Sequence, residues 1–141
     1  MRRTADDAHV AADLRVVLGQ LVRRLRAEHR FPLSHGAVLG RLDREGAQSV
    51  SEIAAKERVR PQSMAQTVAD LEQDGYVTRR PDPDDGRRAL VELTASGLAA
   101  LEADRRHRDG WLARALDEEL TGDERATIAE AVKILRRIAD A

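Results

Sequence analysis

Apolar residues recur at three- and four-residue intervals through most of the chain, and the period changes in only one stretch. Over about residues 7–28, Val10, Leu14, Val17, Leu18, Leu21 and Leu25 form a stripe on one helical face, with Arg23, Arg24 and Arg26 mostly off it. Phe31-Pro32 ends this segment, because a residue before proline avoids helical angles. Ser34 is expected to cap a second helix that buries Val38, Leu39 and Leu42 and stops at Gly46. Gly36 and Gly40 weaken that helix by roughly 1 kcal/mol each if exposed, or else permit close helix contact. A short helix starting near Ser51 turns Ile53 and Ala54 inward. After a break at Val59-Arg60-Pro61, a helix that opens on proline runs to Gly75 with Met64, Val68 and Leu71 on its apolar side.

The period then shortens. Tyr76 to Arg80 and Ala89 to Leu93 read as two strands joined by the turn-forming PDPDDG, a hairpin with a charged tip. Thr94 caps a long helix carrying Leu98, Leu101, Trp111, Leu112, Ala115 and Leu116, with Gly110 as a place where it could bend. Thr121 and Glu124 have capping-box spacing before a last helix striped by Ile128, Val132, Leu135 and Ile138.

Two short helices joined by a tight turn and followed by a charged hairpin describe a winged helix-turn-helix. The expected fold is therefore mainly α (α+β): a winged unit over 33–94, an N-terminal dimerisation helix over 1–32 and C-terminal dimerisation helices over 95–141. The terminal stripes motivate the dimer, since a small winged domain leaves them without a home in one chain. The second helix of such a unit enters the major groove by its N-terminal residues. Here those are Pro61, Gln62, Ser63, Ala65, Gln66 and Thr67, with Ser51 of the preceding helix grouped beside them. Glutamine can pair bidentately with adenine. Arg58 and Arg60 at the turn, and Arg79, Arg80 and Arg88 on the hairpin, are candidates for phosphates. Asp85 and Arg87 lie two apart at the tip, a spacing that lets them pair and hold the guanidinium extended toward a narrow minor groove.

Composition sharpens this and also resists it. A net charge of −1 does not announce a nucleic-acid binder, so the placement of charge has to carry the reading. There is no cysteine, which removes disulfides, cysteine–zinc sites and thiol redox chemistry. No apolar run approaches a membrane span and no signal peptide is evident, so a cytoplasmic protein is expected. There is no Gly-rich phosphate loop, no nucleophile–base set and no metal-ligand spacing, so neither an enzyme nor a cofactor is expected. His9, His29, His35 and His107 do not change this, for His29 and His35 are separated by the Phe-Pro break and have no carboxylate cluster beside them.

Residues 33–94 resemble the winged helix-turn-helix of the MarR family, above all in DLEQDGYVTR and DPDDGRRALVELT, and the flanking helices extend the resemblance to nearly the whole chain. The resemblance implies a homodimer intertwined through the first and last two helices, binding palindromic double-stranded DNA. It places Arg87 in the minor groove, with Asp85 as the wing aspartate. It implies a repressor of its own or a neighbouring gene, released by a small aromatic or lipophilic effector, for which Leu14, Leu18, His35 and Trp111 are candidate wall residues. The chain departs from the family pattern at Gly86, Gly36 and Gln66, so a more flexible wing tip, an altered ligand cleft and a distinct operator are expected. The competing reading is a winged-helix protein–protein interaction module without DNA binding.

Overall fold

A computed structural model describes residues 2–141, with side chains from Asp6 onward. The elements in order are α1 (Arg2–Ala27), α2 (Leu33–Glu45), α3 (Val50–Glu57), α4 (Pro61–Gln73), β1 (Val77–Pro81), β2 (Ala89–Leu93), α5 (Ala95–Glu119) and α6 (Gly122–Ala139). This is the six-helix, two-strand winged architecture that the spacing of apolar residues predicts.

Local chemistry sets most boundaries. Pro32, not Ser34, occupies the N-cap of α2; its ring fixes φ at −53° and it has no N–H to satisfy. The first turn closes by Gly36 N–H donating to the Pro32 carbonyl at 3.1 Å, which leaves Ser34 inside the helix without a capping role. Ser49 caps α3 by accepting from the Glu52 N–H at 3.1 Å, so that helix begins just before Ser51. Asp74-Gly75 ends α4: Gly75 takes φ +80°, and Tyr76 N–H reaches back to the Leu71 carbonyl at 2.9 Å while Gly75 N–H reaches Glu72 at 3.0 Å. Thr121 and Glu124 form both bonds of the capping box that opens α6.

β1 and β2 pair antiparallel from Val77 opposite Leu93 to Pro81 opposite Ala89. The loop between α2 and α3 adds a bridge that the sequence reading does not foresee. Gln48 N–H donates to the Val91 carbonyl at 3.1 Å, and Val91 N–H returns to the Gln48 carbonyl at 2.7 Å. An isolated two-stranded hairpin is marginal in water, so this bridge, at the middle residue of β2, ties the wing to the loop between α2 and α3.

One core gathers Val38, Leu39 and Leu42 of α2, Ile53 and Ala54 of α3, Met64, Val68 and Leu71 of α4, Val77, Val91 and Leu101. Phe31 meets Tyr76 edge-on at its margin, with ring centroids 5.7 Å apart. α5 joins this core by its first turns and continues as one α-helix through Gly110. Its N-terminus is pressed so close to Tyr76 that a Cβ on Gly97 would stand 2.1 Å from the Tyr76 carbonyl oxygen. By contrast, a Cβ on Gly36 would meet nothing within 4 Å, and one on Gly40 only the end of Arg44 at 3.1 Å, so neither glycine serves a close helix contact within the protomer.

Asp104 of α5 is 1% exposed. It accepts from the Arg30 backbone N–H at 2.8 Å, faces His29 Nδ1 at 3.3 Å and pairs with Arg108. His107 and Glu28 make a second contact between the same segments at 3.0 Å. The end of α1 is thus fastened to α5 by polar groups, while among the described residues most of α1 and of α6 is exposed, with Leu14, Leu25, Ala131 and Leu135 half-buried. No residue of α6 is buried, and Val10, Val17, Leu21, Val132 and Ile138 (64%) are exposed.

Candidate nucleic-acid interface

α4 is divided lengthwise. Met64, Val68 and Leu71 are buried, whereas Pro61, Gln62, Ser63, Ala65 and Gln66 are exposed and Thr67 is half-buried. Packing against α2, α3 and β1 therefore leaves a continuous face of amide and hydroxyl groups. Gln66 donates from Nε2 to Asp70 Oδ1 at 2.9 Å, which leaves its carbonyl oxygen and one N–H free. Thr67 donates to the Ser63 carbonyl at 3.2 Å. Ser51 lies exposed on α3.

The turn into α4 is built on Arg58. It caps α3 in the left-handed region at φ 55°, a conformation that favours glycine, and Val59 N–H closes the turn onto the Ala54 carbonyl at 3.0 Å. Arg58 and Arg60 are exposed and make no ion pair among the described residues. α2 and α3 are held at this corner by Arg41, which donates to Glu57 at 2.7 Å and to Glu45 at 2.9 Å. The bond to Glu57 is the main cause holding the Arg41 guanidinium above its ordinary range.

The wing differs in detail from the sequence expectation. Asp85 does not pair with the Arg87 guanidinium; its Oδ1 accepts the Arg87 backbone N–H at 3.0 Å, and its carbonyl accepts the Arg88 N–H at 3.0 Å. An aspartate two residues before an N–H readily closes such a turn on the backbone, and the Arg87 side chain is left exposed without an ion pair among the described residues. The three other wing arginines are engaged. Arg79 lies 3.4 Å from Glu72, and Arg80 donates to Glu92 at 2.8 Å. Arg88 pairs with Glu52 of α3 and lies 3.2 Å from Asp82. Asp82 also accepts the Asp84 N–H at 2.9 Å, the main cause lowering its carboxyl below the usual range, with Arg88 assisting.

The four candidate effector residues do not meet around one cavity. Trp111 lines an apolar cavity of about 500 Å³ with Leu21, Leu112, Leu116, Ile128 and Val132, and Arg24 stands 5.3 Å above its ring. His35, on α2, does not line that cavity and lies 3.7 Å from Asp70 of α4. Leu14 and Leu18 sit further up α1, partly or largely exposed. Sequence reasoning missed Glu52 and Gln48 as parts of the wing; only the S-x-x-E spacing from Ser49 to Glu52 offered a local signal.

A helix-turn-helix with a polar-faced second helix and a hairpin wing beside it defines a winged helix-turn-helix transcriptional regulator. Residues 31–89 match the model of the MarR family. The chain is 36% identical over 137 residues, 95% of each protein, to an uncharacterized HTH-type transcriptional regulator of Mycobacterium leprae. A solved protein from Pseudomonas aeruginosa superposes with a TM-score of 0.83 at 37% identity, covering 96% of this chain and 97% of that one. S. aureus MepR, solved bound to an oligodeoxyribonucleotide, shares the fold with a TM-score of 0.70 at 20% identity, over 91% of this chain and 96% of that one. The chain belongs to the MarR family. Among the described residues, no helix is long and apolar enough to cross a membrane.

Proposed function

We propose that this protein represses transcription by binding a pseudo-palindromic operator in double-stranded DNA as a homodimer. The observation that carries this reading is the lengthwise division of α4 into a buried apolar face and an exposed face bearing Gln62, Ser63 and Gln66. Two unpaired guanidiniums precede that helix and a third tips the wing. In this reading Gln62, Ser63, Gln66 and Thr67 meet base edges, with Pro61 and Ala65 close to the groove floor. Arg58, Arg60 and Ser51 approach the sugar-phosphate backbone. Arg79 and Arg80, which are exposed, can exchange their carboxylates for phosphate. Arg87 enters the minor groove, and Asp85 holds the turn that presents it. MepR, of the same fold, supports the reading through its oligonucleotide complex.

The homodimer is supported by the largely exposed stripes of α1 and α6 and by the apolar cavity between α5 and α6. A second copy covers them and sets two α4 helices about 34–36 Å apart, one helical turn of DNA. Trp111, on the wall of that cavity, is the one candidate effector residue that lies at an apolar space, which suits a small aromatic or lipophilic ligand.

The test is selection of bound genomic fragments by the purified protein, followed by binding measurements on the recovered duplex with Arg87→Ala. We expect a motif with dyad symmetry and a loss of affinity of about tenfold or more for the variant. Absence of any retained fragment at low salt refutes DNA binding, and full affinity for the variant refutes the role of the wing tip.

A further inference from the structure

We propose that Arg88 and Glu52 are positioning residues that lock the wing against α3, so that Arg88 serves DNA binding by aiming Arg87 and not by touching phosphate. This rests on the DNA-binding reading above.

Arg88 is held from two sides. Glu52 reaches it from α3, and Asp82, 8% exposed, reaches it from the opposite strand of the hairpin at 3.2 Å. Asp82 is itself fixed, because its other oxygen accepts the Asp84 N–H at 2.9 Å and its own N–H donates to the Arg88 carbonyl at 3.0 Å. Glu52 stands at the third position of α3, where a capping box would send its carboxylate back to the Ser49 N–H. Glu124 of α6 makes that return bond to Thr121. In α3 only the Ser49 half of the box is formed, and the Glu52 carboxylate is turned to the wing instead.

The wing therefore has two anchors. The Gln48 bridge to Val91 holds the middle of β2, and Arg88 holds the end near the tip. Gly86 and Arg87 are the central residues of the turn that the Arg88 N–H closes onto the Asp85 carbonyl, so fixing Arg88 fixes where Arg87 leaves the hairpin. The electrostatics point the same way. One guanidinium between two carboxylates makes a cluster of net negative charge, which does not draw a phosphate. Moving Arg88 to DNA would strand the nearly buried Asp82 and leave Glu52 facing a polyanion. A planar guanidinium can span two carboxylates, a geometry that the point charge of lysine does not reproduce.

Glu52→Gln and Arg88→Lys separate positioning from phosphate contact. Both residues are substantially exposed, so neither change empties the core. Each variant and the parent are titrated with the selected duplex at several salt concentrations, and amide exchange at Asp84 and Arg88 is followed in the free protein. Positioning predicts that both variants bind about fivefold more weakly, with the parent's salt dependence, and that both amides exchange faster. A phosphate-binding Arg88 predicts the reverse: Glu52→Gln frees the cation and tightens binding, and Arg88→Lys binds as the parent does. Either of those results, or unchanged amide exchange, overturns the proposal. If the parent binds no duplex at all, DNA binding is what fails, and the exchange rates still decide whether Glu52 and Arg88 hold the wing.

Discussion

Replacing Gly97 by alanine should be among the most damaging single-methyl changes in this protein. The added Cβ would stand 2.1 Å from the Tyr76 carbonyl oxygen and 2.9 Å from Leu93 Cδ1. Ordinary contact begins near 3.4 Å, so the start of α5 must back away from Tyr76 by about 1 Å. That shift attacks two bonds that join α5 to the end of α4, Thr94 N–H to the Tyr76 carbonyl at 3.0 Å and Thr94 Oγ1 to the Gly75 carbonyl at 2.7 Å. Each is worth about 1 kcal/mol net, and overpacking adds about 1–3 kcal/mol. Alanine's better helix propensity returns less than ~1 kcal/mol in a first turn. The net is a loss of about 3 kcal/mol, or roughly 10 °C in Tm for a chain of this size. Urea unfolding followed by circular dichroism, at one fixed protomer concentration, measures it. Gly36→Ala is the control: with nothing within 4 Å of the new methyl, it should stabilise by about 0.5–1 kcal/mol. A Gly97→Ala protein within about 1 kcal/mol of the parent would show that α5 does not need this approach.

Three further outcomes test separate parts of the structure. Arg58→Gly relieves a left-handed arginine and should raise stability by about 1 kcal/mol while weakening DNA binding and, with two copies lost per dimer, lowering the salt slope by about 2; equal affinity with higher Tm would leave Arg58 purely structural. Val132→Asp, on the exposed stripe of α6, should turn the proposed dimer into a monomer by light scattering, and an unaltered dimer would put the interface elsewhere. Asp82 has its carboxyl lowered mainly by the Asp84 N–H, so its bonds stabilise the wing above the ordinary carboxylate range and are lost as pH falls through the lowered value. Protection of the Asp84 amide should therefore persist through the pH range where an ordinary aspartate titrates and be lost only in stronger acid; loss of protection already near neutrality would contradict the assignment.

The fold is legible at most positions where the signal is local. Pro61 at the head of α4, Asp74-Gly75 at its end, Thr94 and the Thr121–Glu124 box each act within a few residues, and each stands where the sequence places it. The buried members of α2, α3 and α4 follow from helical spacing alone. What escaped is what depends on a distant partner. Asp104 sits in the run ADRRHRD, and while Arg108 is a local partner, its other two partners lie 74 and 75 residues away across the fold. Gly97 reads as an ordinary residue of a helix start until Tyr76 is placed beside it. Gln48 looks like loop, and only β2 makes it a bridge. Ser34 was misjudged locally: a serine near a helix start competes with a proline one position better placed. In the site, residue types and order were legible but pairings were not, since one Asp-x-Arg spacing fits both a side-chain ion pair and the backbone-closed turn that forms.

The pairings also explain how a chain of net charge −1 can present a cationic face. Acids and bases are nearly equal in number, and what matters is which bases remain uncommitted. Arg41, Arg79, Arg80 and Arg88 are each held by a carboxylate of the same frame. Arg58, Arg60 and Arg87 are not, and they stand at the recognition turn and at the wing tip, the places where a duplex approaches a winged helix. If only these act, a dimer brings six cations to the DNA, and the slope of log affinity against log salt should be about −5. If Arg79, Arg80 and Arg88 all leave their carboxylates for phosphate, twelve cations act and the slope approaches about −11. A slope near the steeper value would mean that the ion pairs open on binding, and it would remove the reason for assigning Arg88 to the wing and not to the phosphate backbone.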